Sequence, residues 1–468
     1  MLWLYLQNRK RSFPNAISWW KDLVKPSVKK FYINQGKENK NLQYGLIEYC
    51  ETKLRKLYES ANETGIINCE ELRSIKSEID THRQKLVMGV KVRCRIQDKI
   101  SNESISKYLI AKQKETAQKK IIHTMIDSNG IQLTTFNEIQ THVVNFYETL
   151  YCKENCDLEK QEYFLSFLQN GLSDLDRELL SAPISKPEIF KIIESMAENK
   201  TPGCDGFPVE MYEENWEIMG NDLLDIYKTI LDTGTLGTSQ RQAIITLIPK
   251  SSCITSINNY RPISLLCVDY KILSKLLAER LKKVLHKVIH SKQFCCVPGK
   301  SINYCNMELR DIFYYANDVN MELAVVNLDW YKAFDRVSIE FTLKALLKLG
   351  FGEPFVRWIS ILYRDIKSAV LMNNILSDFF PVTRSVRQGC PMSMGLFVVY
   401  QEAFYRAMVK SRIIRPLRLP DATETTLVGY ADDTTVLILN EESLIEMVSI
   451  VSLFEKATGA ILNRNNKT

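Results

Sequence analysis

Thr425-Thr-Leu-Val-Gly-Tyr-Ala-Asp-Asp-Thr-Thr-Val-Leu-Ile-Leu439 is two β-prone runs that meet at a pair of adjacent carboxylates. Asp is depleted in strands, and two neighbouring negative charges repel by about 4 kcal/mol at ~4 Å for an effective dielectric near ~20. A structural role for the pair is therefore unattractive, whereas a divalent cation would relieve the repulsion. Taken alone, Asp432-Asp433 could equally be a solvated turn, so the rest of the chain decides. A third carboxylate, Asp329, ends the apolar run Leu323 to Leu328, where a twisted sheet can bring it beside a neighbouring hairpin turn. Three convergent carboxylates suit two metal ions roughly 3.5–4 Å apart, one activating an attacking hydroxyl and one steadying the leaving phosphate. Oxygen ligands on rigid strands supply that geometry.

Outward from this hairpin, strands and helices alternate. Leu323 to Leu328 reads as a strand, Ser338 caps a helix running to Gly350, and a second helix covers 354–366. A hairpin turning at Asn373-Asn374 and a helix over 392–411 follow. The breaker-dense loop Lys200-Thr-Pro-Gly-Cys-Asp-Gly206 marks the start of this mixed region. Upstream, Leu46-Ile47, Leu54, Leu57-Tyr58 and Leu72 recur among charges at helical spacing, and Phe136 to Tyr151 reads as a further helix after a turn at Ser128-Asn129-Gly130. The expected organisation is a basic, mainly helical region over 1–120, an acidic helical linker region over 121–199, and an α+β domain over 200–468.

The 468 residues, 45% hydrophobic and 25% charged, suffice for about two to four domains. The net charge of +6 conceals segmentation: residues 1–120 hold 25 Lys/Arg against 13 Asp/Glu, and residues 121–230 hold 7 against 20. A basic arm of this kind suits phosphate contacts, and a solvated charged helix would look the same. Trp19-Trp20 reads either as a stacking grip on nucleic acid or as a buried anchor. Twelve scattered cysteines fit a reducing compartment, and Cys152 and Cys156 lack a paired histidine for a zinc site. No secretory leader or long apolar run is present, so the expectation is an intracellular protein without a membrane span.

Several boxes then carry a family resemblance. Tyr430-Ala-Asp-Asp433 resembles the Y-A-D-D box of reverse transcriptases. Leu328-Asp-Trp-Tyr-Lys-Ala-Phe-Asp-Arg-Val337 and Val386-Arg-Gln-Gly-Cys-Pro-Met-Ser393 resemble the D-x-x-K-A-F-D-x-V and R-Q-G-C-P-L-S boxes of non-LTR (LINE-type) retrotransposons. Leu247-Ile-Pro-Lys250, Asn259-Tyr-Arg-Pro-Ile-Ser264, Pro298-Gly-Lys-Ser-Ile302 and the stretch Lys200 to Tyr212 match the family's earlier blocks, in the family's order.

The resemblance implies right-hand polymerase fingers and palm, an antiparallel sheet with packed helices, preceded by a helical N-terminal region. It implies an RNA-directed DNA polymerase with Asp329, Asp432 and Asp433 as ligands of two Mg²⁺ ions, Mn²⁺ being the alternative. Tyr430 would shape the turn beneath the primer end, and Phe334 would exclude the ribose 2′-hydroxyl, core packing being its plainer role. Lys250 and Arg261 would hold the triphosphate, Gln388 and Gly389 would line the nucleotide pocket, and Lys467 would protonate the departing pyrophosphate. RNA template, DNA primer or target, and dNTP are the implied partners, and the nucleus the implied place of action. The family's thumb and upstream endonuclease are expected to lie outside these 468 residues, which leaves a catalytically inactive, nucleic-acid-binding remnant as the alternative. Met392, Met394-Gly395 and Cys295-Cys296 depart from the family's usual residues without removing a charge. A group II intron maturase or an RNA-dependent RNA polymerase fits these boxes less well.

Overall fold

The computed structural model describes residues 2–94, 121–250 and 255–464. The chain forms two compact units, one built from Met1–Asp22 and His123–Thr468, the other from Leu23–Ile122.

In the smaller unit, helices Lys25–Thr64 and Cys69–Cys94 pair along a narrow seam of Cys50, Ile75 and Ile79, flanked by Leu54 and Leu57. Gly65, at φ 70°, ends the first helix in the left-handed region. Among the described side chains of these helices little else is buried, as expected where apolar residues are sparse among charges.

The first residues do not stay with this basic arm. Trp3, Trp19 and Trp20 cluster with ring centroids 6.2–6.4 Å apart. Trp19 Nε1 donates to the Leu6 carbonyl at 2.9 Å, and Trp20 Nε1 to Asp269 at 3.2 Å. Lys10 pairs with Asp222 at 2.7 Å. Trp19 and Trp20 are 0% and 3% exposed, so their faces are anchors in the larger unit and are closed to nucleobases.

The acidic region after residue 121 is packed into the larger unit instead of linking two bodies. Helix Phe136–Leu150 starts at a Thr135/Glu138 capping box. At its other end the Leu150 carbonyl accepts from Arg384 Nε at 2.8 Å, and Glu154 Oε1 accepts from Arg336 and Arg384 at 2.7 and 2.9 Å. Part of the acidic surplus thus neutralises arginines that are themselves almost buried.

Six strands position the site: β1 (Gln242–Pro249), β2 (Tyr260–Leu266), β3 (Ala324–Leu328), β4 (Lys367–Met372), β5 (Leu427–Tyr430) and β6 (Asp433–Ile438). The last two form the hairpin read from the sequence, and β6 also pairs with β3, giving an antiparallel sheet in the order β5–β6–β3. The second sheet departs from the antiparallel expectation. There β2 lies antiparallel to β1, but β4 runs parallel to β1, from Gln242↔Lys367 to Thr246↔Leu371. A parallel pair needs a long crossover, and the many helical residues between β1 and β4 supply it. The fold is mixed α/β.

Helix Ser393–Lys410 is buried nearly all round, as its almost unbroken apolar sequence demands. Phe404 on this helix packs against Phe454 of helix Glu441–Thr458 at 5.2 Å, and Phe454 meets Trp330 at 5.7 Å. Such ring pairs add about 0.5–1.5 kcal/mol each beyond burial, and Trp330 directly follows Asp329 in the chain. Among the described residues no helix is long and apolar enough to cross a membrane.

Candidate active site

The β5–β6 register pairs Tyr430 with Asp433, so Ala431 and Asp432 make the turn, with Ala431 at φ 56°. A hairpin this tight uses left-handed backbone, an uncommon state for a residue with a Cβ, and needs support. Gln293 provides it. This side chain is 1% exposed, and its Oε1 accepts from the Ala431 N–H at 3.2 Å while its Nε2 donates to the Tyr405 hydroxyl at 3.3 Å. Backbone bonds on either side, Phe294 N–H to the Gly429 carbonyl and Gly429 N–H to the Lys292 carbonyl, both 2.9 Å, lash this segment to β5. A Cβ at position 429 would stand 1.9 Å from the Tyr405 hydroxyl, so only glycine fits.

Asp329 follows the last residue of β3. Because Thr434 pairs with Leu328, the next step of that register sets Asp329 beside Asp433. Asn463 holds Asp329 from the other side, donating from Nδ2 to Oδ2 at 3.0 Å. Burial pushes the Asp432 carboxyl above its usual range, and the charges of Asp433 and Asp329 push it the same way. The three carboxylates therefore share one field. Among the described residues neither Asp432 nor Asp433 has an ion-pair partner, so the donor set is hard oxygen with excess negative charge, which fits a divalent cation.

Asp329 and Asp432 open into a cleft of about 710 Å³ that is also lined by Lys250, Arg261, Phe334, Gln388 and Gly389. Lys250 and Arg261 come from the β1–β2 hairpin, where the Lys250 N–H donates to the Asn259 carbonyl at 2.7 Å and Arg261 pairs with Ile248. Gln388 and Gly389 extend the edge of β2, the Ser264 N–H donating to the Gln388 carbonyl at 2.7 Å. Gly389 sits at φ 112°, and a Cβ there would lie 2.7 Å from the Ser264 oxygen. Phe334 is half-buried and stacks on Phe397 at 4.7 Å with an interplanar angle of 19°, so it both packs and faces the cleft. Tyr430 and Asp433 belong to the hairpin beside the cleft, and Lys467 lies outside the described residues.

Sequence reasoning passed over Gln293, Asn463, Lys332 and Asp335. The last two are fixed letters of the box that holds Asp329, but the resemblance assigned them no role, and nothing in residue order shows that they are buried. In the fold Lys332, at φ 49°, lines the cleft, and burial pushes its amine down to about 8. Burial pushes the Asp335 carboxyl up to about 6 against the opposing charges of Lys332 and Lys250.

Elsewhere Asp205, Cys267 and Asp269 bring possible ligand atoms within 4.8 Å of one another. Asp269 is fully buried and accepts from Trp20 Nε1 and Gln240 Nε2, both at 3.2 Å, and from the Tyr270 N–H at 2.9 Å. Those bonds explain its burial without an ion.

A carboxylate hairpin, a third strand-end carboxylate and a cationic nucleotide-sized cleft are the parts of a nucleic-acid polymerase. Residues 248–468 match the family described as reverse transcriptase (RNA-dependent DNA polymerase). Over 407 residues, 86% of its length, the chain is 30% identical to the Transposon TX1 uncharacterized 149 kDa protein of Xenopus laevis, covering 31% of that protein. It is 25% identical over 54% of its length to the Pol polyprotein from retrotransposable element R2DM of Drosophila melanogaster, covering 24% of it. It is also 26% identical over 63% of its length to the RNA-directed DNA polymerase from mobile element jockey of the same organism, covering 31%. Residues 248–468 thus form a reverse transcriptase domain, and the chain is similar to proteins of non-LTR retrotransposons. It spans a third or less of these relatives.

Proposed function

We propose that the chain performs RNA-directed DNA synthesis, joining a deoxynucleotide to a primer 3′-hydroxyl on an RNA template. The observation that carries this reading is the meeting of Asp329 and Asp432 with Lys250, Arg261, Phe334 and Gln388-Gly389 in one cleft. On this view the β5–β6–β3 sheet is the palm and the β1–β2 hairpin belongs to the fingers. Asp329, Asp432 and Asp433 would hold two Mg²⁺ ions, with Mn²⁺ as the alternative, supplying Lewis-acid activation of the hydroxyl and neutralisation of the pyrophosphate.

The remaining work falls to the protein's own groups. Lys250 and Arg261 bind the triphosphate through charge-assisted hydrogen bonds. Phe334, braced by Phe397, stands against the sugar and leaves no room for a 2′-hydroxyl. The missing side chain of Gly389 lets a base pair approach the backbone. Tyr430 shapes the turn under the primer end, and Lys467 delivers a proton to the departing pyrophosphate. The basic helical unit contacts RNA, and target DNA places the action in the nucleus.

The test is addition of dTTP to an oligo(dT) primer on poly(rA) with Mg²⁺, scored at single-nucleotide resolution because the relatives are far longer than this chain. Incorporation by the wild type and none by Asp433→Asn is the expected result. Equal incorporation by both would end the assignment.

A further inference from the structure

Asp335 is a carboxylate in an improbable place. It lies on the wall of the nucleotide cleft yet is 2% exposed. A buried carboxylate is retained only where its lone pairs are used, and both oxygens are: Oδ1 accepts from the Tyr151 hydroxyl at 3.1 Å, and Oδ2 from Gln388 Nε2 at 3.1 Å. Tyr151 is itself buried and stacked on Tyr147 at 5.8 Å, so this end of the network is rigid. The other end reaches the cleft through Gln388, whose backbone is already fixed to Ser264.

The chemistry of the pair then determines which way the Gln388 amide faces. An ionised carboxylate accepts and cannot donate, so the amide must turn its nitrogen to Asp335. Its Oε1 is left as an acceptor, on a residue that lines the cleft. We propose that Asp335 is a positioning residue for nucleotide recognition, holding Gln388 so that Oε1 receives a hydroxyl or base N–H hydrogen of the incoming nucleotide. This rests on the polymerase reading above and adds to it a residue that does not touch the substrate.

A protonated Asp335 carboxyl can donate, and its best acceptor nearby is Gln388 Oε1. The amide then rotates and presents N–H groups to a ligand that also donates, which removes that hydrogen bond. Lys332 and Lys250 oppose this protonation, while burial favours it, and the balance sits at about 6. Tyr147, Tyr151 and Tyr331 also feel the Asp335 charge and stay neutral in this range, and the charge of Arg387 acts on Tyr151. Nucleotide affinity should therefore be full near neutrality and fall as pH drops through about 6.

The experiment is equilibrium binding of dTTP with Mg²⁺ to the full 468-residue chain, at about pH 7.5 and about pH 5. The wild type should weaken by about tenfold at the lower pH, the scale of one hydrogen bond replaced by an unmatched donor. Gln388→Leu, a substitution at a half-exposed position, should bind weakly at both pH values and show a much smaller pH effect. Asp335→Asn should likewise show a much smaller pH effect than the wild type. Titration of dTTP itself affects every variant alike, so a drop of the same size in Gln388→Leu and wild type would overturn the proposal. So would a wild type with no drop. Absence of any dTTP binding by the wild type would overturn the polymerase reading together with this one.

Discussion

Asn463 grips Asp329 twice, donating from its backbone N–H to the Asp329 carbonyl at 2.8 Å and from Nδ2 to the carboxylate at 3.0 Å. The second bond fixes the carboxylate oxygen that is proposed to meet the metal, and it contributes no charge. Asn463→Ala should therefore lower dTTP incorporation by roughly tenfold, and Asp329→Asn should abolish it, since removing an orienting bond costs less than removing a ligand. Single-nucleotide addition, with circular dichroism to confirm folding, separates the two. Equal losses would show that Asn463 does more than orient.

The like charges around Asp432 make a second prediction. A carboxyl held above its ordinary pKa by burial and by Asp433 and Asp329 binds its proton more tightly folded than unfolded. In metal-free buffer the wild type should thus lose stability as pH rises from the ordinary carboxylate pKa through the raised one. Asp432→Asn should lack that loss and melt higher near neutral pH, while incorporating no nucleotide. A lower melting temperature for Asp432→Asn under these conditions would mean the repulsion is already relieved.

Phe334→Ala should raise ribonucleotide incorporation relative to deoxynucleotide, because the ring facing the cleft is removed while the carboxylates stay. Competition between rTTP and dTTP on one primer measures this. Unchanged discrimination, together with a fall in stability from removal of the Phe397 stack, would assign Phe334 to packing alone.

Gly389→Ala meets two obstacles, a φ of 112° and a Cβ placed 2.7 Å from the Ser264 oxygen. Strain and a displaced edge of β2 should cost about 1–3 kcal/mol of stability and shift Gln388 and Arg261 together. Denaturant melts and dTTP binding should both register it. A variant with wild-type stability would show that the loop relaxes freely.

The exposed lysines of the long N-terminal helix, Lys29, Lys30, Lys37 and Lys40, test the basic arm. If they neutralise phosphates of single-stranded RNA, replacing all with Gln should flatten the log–log salt dependence by about 0.7 for each phosphate left unneutralised. Fluorescence anisotropy across a salt series gives the slope. Identical slopes would make this face a solvated helix surface.

The local chemistry of the chain was legible from residue order. Two β-prone runs around Asp432-Asp433 make a hairpin because alternation and turn residues act over a few positions, and Ser338 caps its helix for the same short-range reason. The boxes that carry the family likeness also lie in continuous stretches, so the candidate donors can be named from residue order alone. What required the tertiary structure was every relation between distant segments. Gln293 under the Ala431 turn, Asn463 against Asp329, Tyr151 and Gln388 on Asp335, and β4 parallel to β1 all join residues 53 or more positions apart. So too is the seating of Trp20 on Asp269 a long-range relation, and it takes the first residues away from the basic arm. A buried carboxylate and a surface one have the same sequence signal, and only the packing around Asp335 decides whether its charge faces water or holds another side chain in place.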